Sequence, residues 1–124
     1  MKITTNTKTF IADTITPVSL YLNLRDKFYN SFLLESSDYH SNENAQSFIC
    51  LEPLSTFKVE NQNISISGLG LDKVFTITKK NQVVNELQGF IKEFDADGTT
   101  INGVFGYTGY DAIQYFDKLS IREN

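Results

Sequence analysis

The chain has 124 residues, 40% of them apolar and 21% charged, with a net charge of -4; that is enough for one small domain around a single core. The acidic balance argues against a phosphate-binding basic face, so no nucleic-acid partner is expected. No apolar run approaches the roughly 20 residues that span a bilayer, Met1-Lys2-Ile3-Thr4-Thr5 lacks the apolar core of a secretory signal, and the single Cys50 allows no internal disulfide. A cytoplasmic protein without membrane contact is therefore expected.

Residues 1 to 15 are rich in Thr and alternate weakly, as an extended arm or edge strand would. Thr16-Pro17 predicts a helix start, because threonine caps a helix and proline fits its first turn. Val18, Tyr21, Leu22, Arg25 and Phe28 follow helical spacing, giving an amphipathic helix of roughly 11 residues. Residues 31 to 36 and 47 to 51 are short, apolar-centred segments that read as buried strands. The polar run from Ser37 to Asn44 between them reads as a surface loop. Residues 56 to 59 and 64 to 67 alternate with period two and predict a half-exposed hairpin, and residues 74 to 78 predict a further strand.

The clearest helix spans residues 81 to 94. Val83, Leu87, Phe90, Ile91 and Phe94 form one apolar stripe, and Asp95-Ala96-Asp97-Gly98 is expected to stop it. Residues 103 to 107 read as a last strand and residues 110 to 116 as a short helix. The fold expected from this order is α+β, with a mainly antiparallel sheet and two to three helices, forming a single domain over 1–124.

The chemistry-bearing residues do not assemble into a self-contained active site. His40 has no second histidine or cysteine nearby and reads as a solvated loop residue. Cys50, flanked by Phe48, Ile49 and Leu51, reads as a small buried apolar residue. Gly68-Leu69-Gly70 has no third glycine and no helix behind it, so it reads as a turn rather than a dinucleotide fingerprint. The acidic run from Glu93 to Gly98 resembles a calcium loop, but position twelve would be Val104, which has no carboxylate to offer. Asn63-Ile64-Ser65 matches a glycosylation acceptor, which has no meaning without a secretory route. No catalytic and no metal-binding residue is assigned.

Three segments together resemble the N-terminal region of anthranilate synthase component I. The stretch from Thr16 to Leu24 resembles the first helix of that family. Ser31-Phe32-Leu33-Leu34-Glu35-Ser36 resembles its LLES strand, followed by a polar loop and the Ser47-Phe48-Ile49 strand. Gly103-Val104-Phe105-Gly106-Tyr107-Thr108-Gly109-Tyr110-Asp111, with Tyr115-Phe116-Asp117, resembles its G-Y-x-x-Y-D turn and Y-F-E tail. The order and spacing of the three cover nearly the whole chain.

The resemblance implies a part in converting chorismate to anthranilate, at the entry to tryptophan synthesis, together with a glutamine amidotransferase subunit (component II). Members of the family are several times longer, and their chorismate and magnesium sites lie in the C-terminal part, so this chain alone is expected to be inactive. It also implies a tryptophan feedback site to which Glu35, Ser36, Gln46 and Pro17 contribute, Gln46 standing where many members carry a basic residue. A free amino acid needs an acceptor for its ammonium and donors for its carboxylate, roles that suit Glu35 and Ser36. Phe32, Leu34 and Phe48 would wall the indole if they face it. Asp111 is expected to cap the last helix, with the glycines at 103, 106 and 109 making tight turns. The sister family, 4-amino-4-deoxychorismate synthase component I, shares these features, and a stand-alone amino-acid-binding module is a further alternative. Apolar surface left uncovered would favour a homodimer.

Overall fold

The computed structural model describes residues 1–36, 46–96 and 103–116. It is an α+β fold, as expected, built from seven strands and three helices among those residues. The backbone clusters into two compact units, one of Met1–Thr7 with Ser55–Asn124 and one of Lys8–Leu54. No helix is long and apolar enough to cross a membrane among the described residues.

The Lys8–Leu54 unit holds helix α1 (Pro17–Leu24) and strands β2 (Phe32–Ser36) and β3 (Gln46–Cys50), an antiparallel pair. Thr16 caps α1 as its sequence predicts. Its Oγ1 accepts from the Ser19 N–H at 3.2 Å, and Ser19 Oγ accepts from the Thr16 N–H at 3.3 Å, a reciprocal box with Pro17 in the first turn. That box satisfies two of the N–H groups a helix start leaves without partners. The helix ends at Leu24, short of the expected length. A tight turn follows, in which the Lys27 and Phe28 N–H groups both donate to the Leu24 carbonyl. The Tyr21 hydroxyl donates to the Ser31 carbonyl at 3.1 Å, tying α1 to the start of β2. Every described residue of this unit is half-buried or exposed, none buried.

The other unit is built on a three-stranded antiparallel sheet of β4 (Thr56–Glu60), β5 (Asn63–Ser67) and β6 (Lys73–Thr76). Asn61 and Gln62 join β4 to β5 with φ of 52° and 61°, the twist that matches a two-residue hairpin. Gly68, Leu69 and Gly70 form the next turn, all at positive φ, as the turn reading of that triplet expects. Alternation sends Phe57, Val59, Ile64, Ile66 and Phe75 to one face. The other face is polar apart from the exposed Val74, and carries the Thr56–Ser67 hydroxyl pair at 2.6 Å, the Thr76–Asn63 hydrogen bond at 3.1 Å and the exposed Lys58–Glu60 ion pair at 2.8 Å.

Helix α2 (Gln82–Lys92) lays Val83 and Phe90 on the apolar sheet face, where with Ile64 and Ile66 they form the buried core. Phe90 meets Phe57 at 5.6 Å and Phe94 edge-on at 5.2 Å between ring centroids. Ile91 departs from the expected stripe and is exposed. At 100° per residue it lies about 80° round the helix from Val83, at the margin of the buried arc.

Three sequence expectations are corrected in this unit. Asp95-Ala96 does not act as a stop alone: it forms strand β7 (Asp95–Ala96), parallel to β1 (Lys2–Ile3). Residues 103 to 107 form no strand, because among the described residues no strand edge pairs with them. Asp111 does not cap the last helix. Gly109 holds the cap position of a 3-10 turn, Tyr110–Ala112, that runs into α3 (Ile113–Phe116), and Asp111 lies in the first turn. Tyr115 packs against the core. The loop expected over 37 to 44, with His40, lies outside the described residues, as does most of the acidic run after Ala96.

Candidate functional site

All four residues singled out by the resemblance fall in the Lys8–Leu54 unit. Pro17 occupies the first turn of α1, the helix that packs against both β2 and β3. Glu35 and Ser36 end β2, and Gln46 begins β3, all three exposed. The register sets Ser36 directly opposite Gln46 and Glu35 opposite Ser47. Opposed residues of an antiparallel pair carry their Cβ atoms about 4.5–5.5 Å apart and share a face.

The two faces of this pair differ in chemistry. One carries Ser36 and Gln46, then Leu34 with Phe48, then Phe32 with Cys50. Along it, a hydroxyl and a carboxamide at the exposed end give way to half-buried apolar side chains. That suits a ligand with a polar head and an apolar body: two neutral donors for a carboxylate, and a ring wall beneath them. The aromatic and aliphatic residues expected to wall an indole do share the Ser36 face. The other face carries Glu35 and Ser47, then Leu33 and Ile49. Glu35 and Ser36 are neighbours in sequence and so point to opposite sides. Ser47, the cross-strand partner of Glu35, escaped the sequence reading because only the register assigns it.

Cys50 is half-buried at the apolar end of the Ser36 face. Burial pushes its thiol up from the usual range, which disfavours the reactive thiolate and fits a packing role. Among the described residues no three His, Cys, Asp or Glu side chains converge in a way that could hold a metal ion. A separate cleft of about 110 Å³ lies beside Gly89 in the other unit, floored by Ile66, Leu71 and Phe90, and holds none of the four predicted residues.

Sequence comparison places most of the chain beside characterised proteins. The chain is 29% identical over 112 residues to anthranilate synthase component 1 of Thermus thermophilus, covering 90% of this chain and 23% of that protein. It is 31% identical over 108 residues to the Bacillus subtilis protein of the same name (86% and 21%), and 31% identical over 121 residues to that of Pseudomonas aeruginosa (87% and 22%). No family model and no solved structure matches the chain. The resemblance to the N-terminal region of anthranilate synthase component I, carried by the helix, the LLES strand and the tyrosine-rich turn, is thereby borne out. The chain spans between a fifth and a quarter of the length of these relatives.

Proposed function

We propose that this chain is the tryptophan-responsive N-terminal part of an anthranilate synthase component I. The chorismate-converting chemistry then belongs to the three-quarters of that protein which this chain does not match. The observation that carries the reading is the β2–β3 register, which seats Ser36 against Gln46 directly above the Leu34–Phe48 pair. In this reading the amino acid's carboxylate accepts hydrogen bonds from the Ser36 hydroxyl and the Gln46 carboxamide. Its ring lies on Leu34 and Phe48. Glu35, on the opposite face, reaches the ammonium around the end of the strand, and Pro17 fixes the first turn of the helix behind. Chorismate and magnesium are assigned to the unmatched region, and no metal step is assigned to this chain. A glutamine-hydrolysing component II supplies ammonia to the whole enzyme. That the relatives reported above all carry the component 1 name supports the tryptophan pathway over the aminodeoxychorismate branch.

Titration calorimetry with tryptophan, on a whole component I carrying this sequence, tests the reading. Ser36→Leu is expected to abolish measurable binding. Gln46→Lys is expected to tighten it by roughly threefold to tenfold, since a charge-assisted bond to a carboxylate exceeds a neutral one by about 1 kcal/mol. Tryptophan affinity indifferent to both changes would sink the assignment, even with the family relationship intact.

A further inference from the structure

Glycine is a poor residue inside a helix, because it gives up more backbone freedom on folding than alanine does. Gly89 nevertheless lies inside α2. A methyl group on it would meet no atom within 4 Å, so packing among the described residues does not require glycine there. The open space beside it is the cleft of about 110 Å³ floored by Ile66, Leu71 and Phe90. Glu86, Gly89 and Phe90 recur with helical spacing, and Glu93 at the cap continues their stripe. A carboxylate therefore stands about one turn to either side of the glycine.

The opposite wall is Lys73. It is the cross-strand partner of Ile66, so it shares the face that α2 covers, and its strand β6 is an edge of the sheet. A lysine turned inward guards such an edge against pairing with another chain. Here it also sets an ammonium across an apolar floor from two carboxylates. Among the described residues, no hydrogen bond or ion pair engages the side-chain charge of Lys73, Glu86 or Glu93.

Unlike charges on the two rims of an apolar floor match a small zwitterion. A ligand carboxylate answers Lys73, a ligand ammonium answers Glu86 or Glu93, and an aliphatic body covers Ile66, Leu71 and Phe90. The volume limits that body. An apolar cavity of about 150 Å³ takes one benzene ring, so a cleft of about 110 Å³ suits a short branched chain and is too small to enclose an indole. We infer that the Gly89 cleft is a binding site for an α-amino acid with a short aliphatic side chain, in a different unit from the Ser36 face. A methyl group at position 89 would occupy space that the ligand's body needs, which accounts for glycine where alanine makes the better helix.

L-valine is the probe, and the amide signals of the isotope-labelled chain are the readout. Valine is expected to shift the Gly89 and Phe90 amides with half-saturation at about 1–10 mM, the weak affinity of a small open site. Isobutylamine and isovalerate carry the same branched body with one charge each, and each is expected to bind about fivefold to tenfold more weakly. Lys73→Gln and Glu86→Gln are expected to weaken valine by a similar factor. Gly89→Ala is expected to abolish the Phe90 shift while Ile64 in the sheet core keeps its signal. Alanine favours the helix, so that loss does not come from unfolding. Gly89 and Phe90 amides unmoved by about 0.1 M valine would overturn the site. Equal binding of valine and its two analogues, or valine affinity indifferent to Lys73→Gln and Glu86→Gln, would overturn the zwitterion. Undiminished binding by Gly89→Ala would overturn the part given to the glycine.

Discussion

Gln62 shows how a single backbone torsion stores energy in this sheet. It occupies the second turn position between β4 and β5 with φ of 61°, directly after Asn61 at 52°. Asparagine tolerates the left-handed region, whereas a long side chain there places its Cβ against its own carbonyl, at roughly 1–2 kcal/mol. The Gln62 carbonyl also accepts the Ile77 N–H at 2.8 Å, so the conformation is held from the far side of the sheet. Gln62→Gly removes the steric cost and keeps that backbone acceptor. Glycine's greater freedom in the unfolded chain returns about 0.5–1 kcal/mol of the gain. The net expectation is a stabilisation of about 0.5–1 kcal/mol, read as a higher urea midpoint at unchanged slope. A lower midpoint would show that the Gln62 side chain makes a contact worth more than the strain.

The α2 helix and the β4–β5–β6 sheet concentrate the buried core, and Phe90 is its centre. Phe90 is 5% exposed and meets the Phe57 ring on the sheet and the Phe94 ring just past the end of its own helix. Phe90→Ala removes a buried ring that its neighbours cannot replace, at about 3–5 kcal/mol. Small domains hold only about 5–15 kcal/mol in all, so cooperative thermal unfolding is expected to be lost or shifted far down. Val18→Ala on α1, where the side chain is 47% exposed, is expected to leave it nearly unchanged. These elements are legible in the sequence because their signals are local: the stripe of α2 repeats every turn, and the hairpin alternates around a two-residue loop. The β1–β7 pair is not legible, since two residues per strand carry no period and the partners, Lys2 with Asp95 and Ile3 with Ala96, lie far apart in sequence. The strand expected over 103 to 107 shows the converse. A short apolar segment does not make a strand where no edge is offered among the described residues, and glycines at 103 and 106 add no extended preference of their own. At the candidate site, the family pattern picks out Ser36 and Gln46 together, but it also sets Glu35 beside Ser36 as one group. Only the register separates those two onto opposite faces.

At the scale of the whole chain, apolar surface and missing chemistry lead to one joint prediction. The Lys8–Leu54 unit has no buried residue among those described. Phe10, Ile11, Val18, Leu22 and Leu54 are each between 47% and 85% exposed. Scattered surface leucines need no explanation, but a unit with nothing buried gains little hydrophobic stabilisation by itself. Association removes such surface from water at about 25 cal/mol per Å², which favours self-association in the isolated chain. Light scattering is expected to show a mass near twice 14.1 kDa as concentration rises, with enhanced fluorescence of an apolar dye at low concentration. The same preparation, given chorismate, ammonia and magnesium, is expected to yield no anthranilate fluorescence, because the proposed reading places the chorismate chemistry in the part of the relatives that this chain does not match. The two readouts fail separately. A monomer that binds no dye would mean that the Lys8–Leu54 surface is covered from within the chain, whereas anthranilate formed by the purified chain would move the chemistry into a segment that lacks any assigned acid, base or metal ligand.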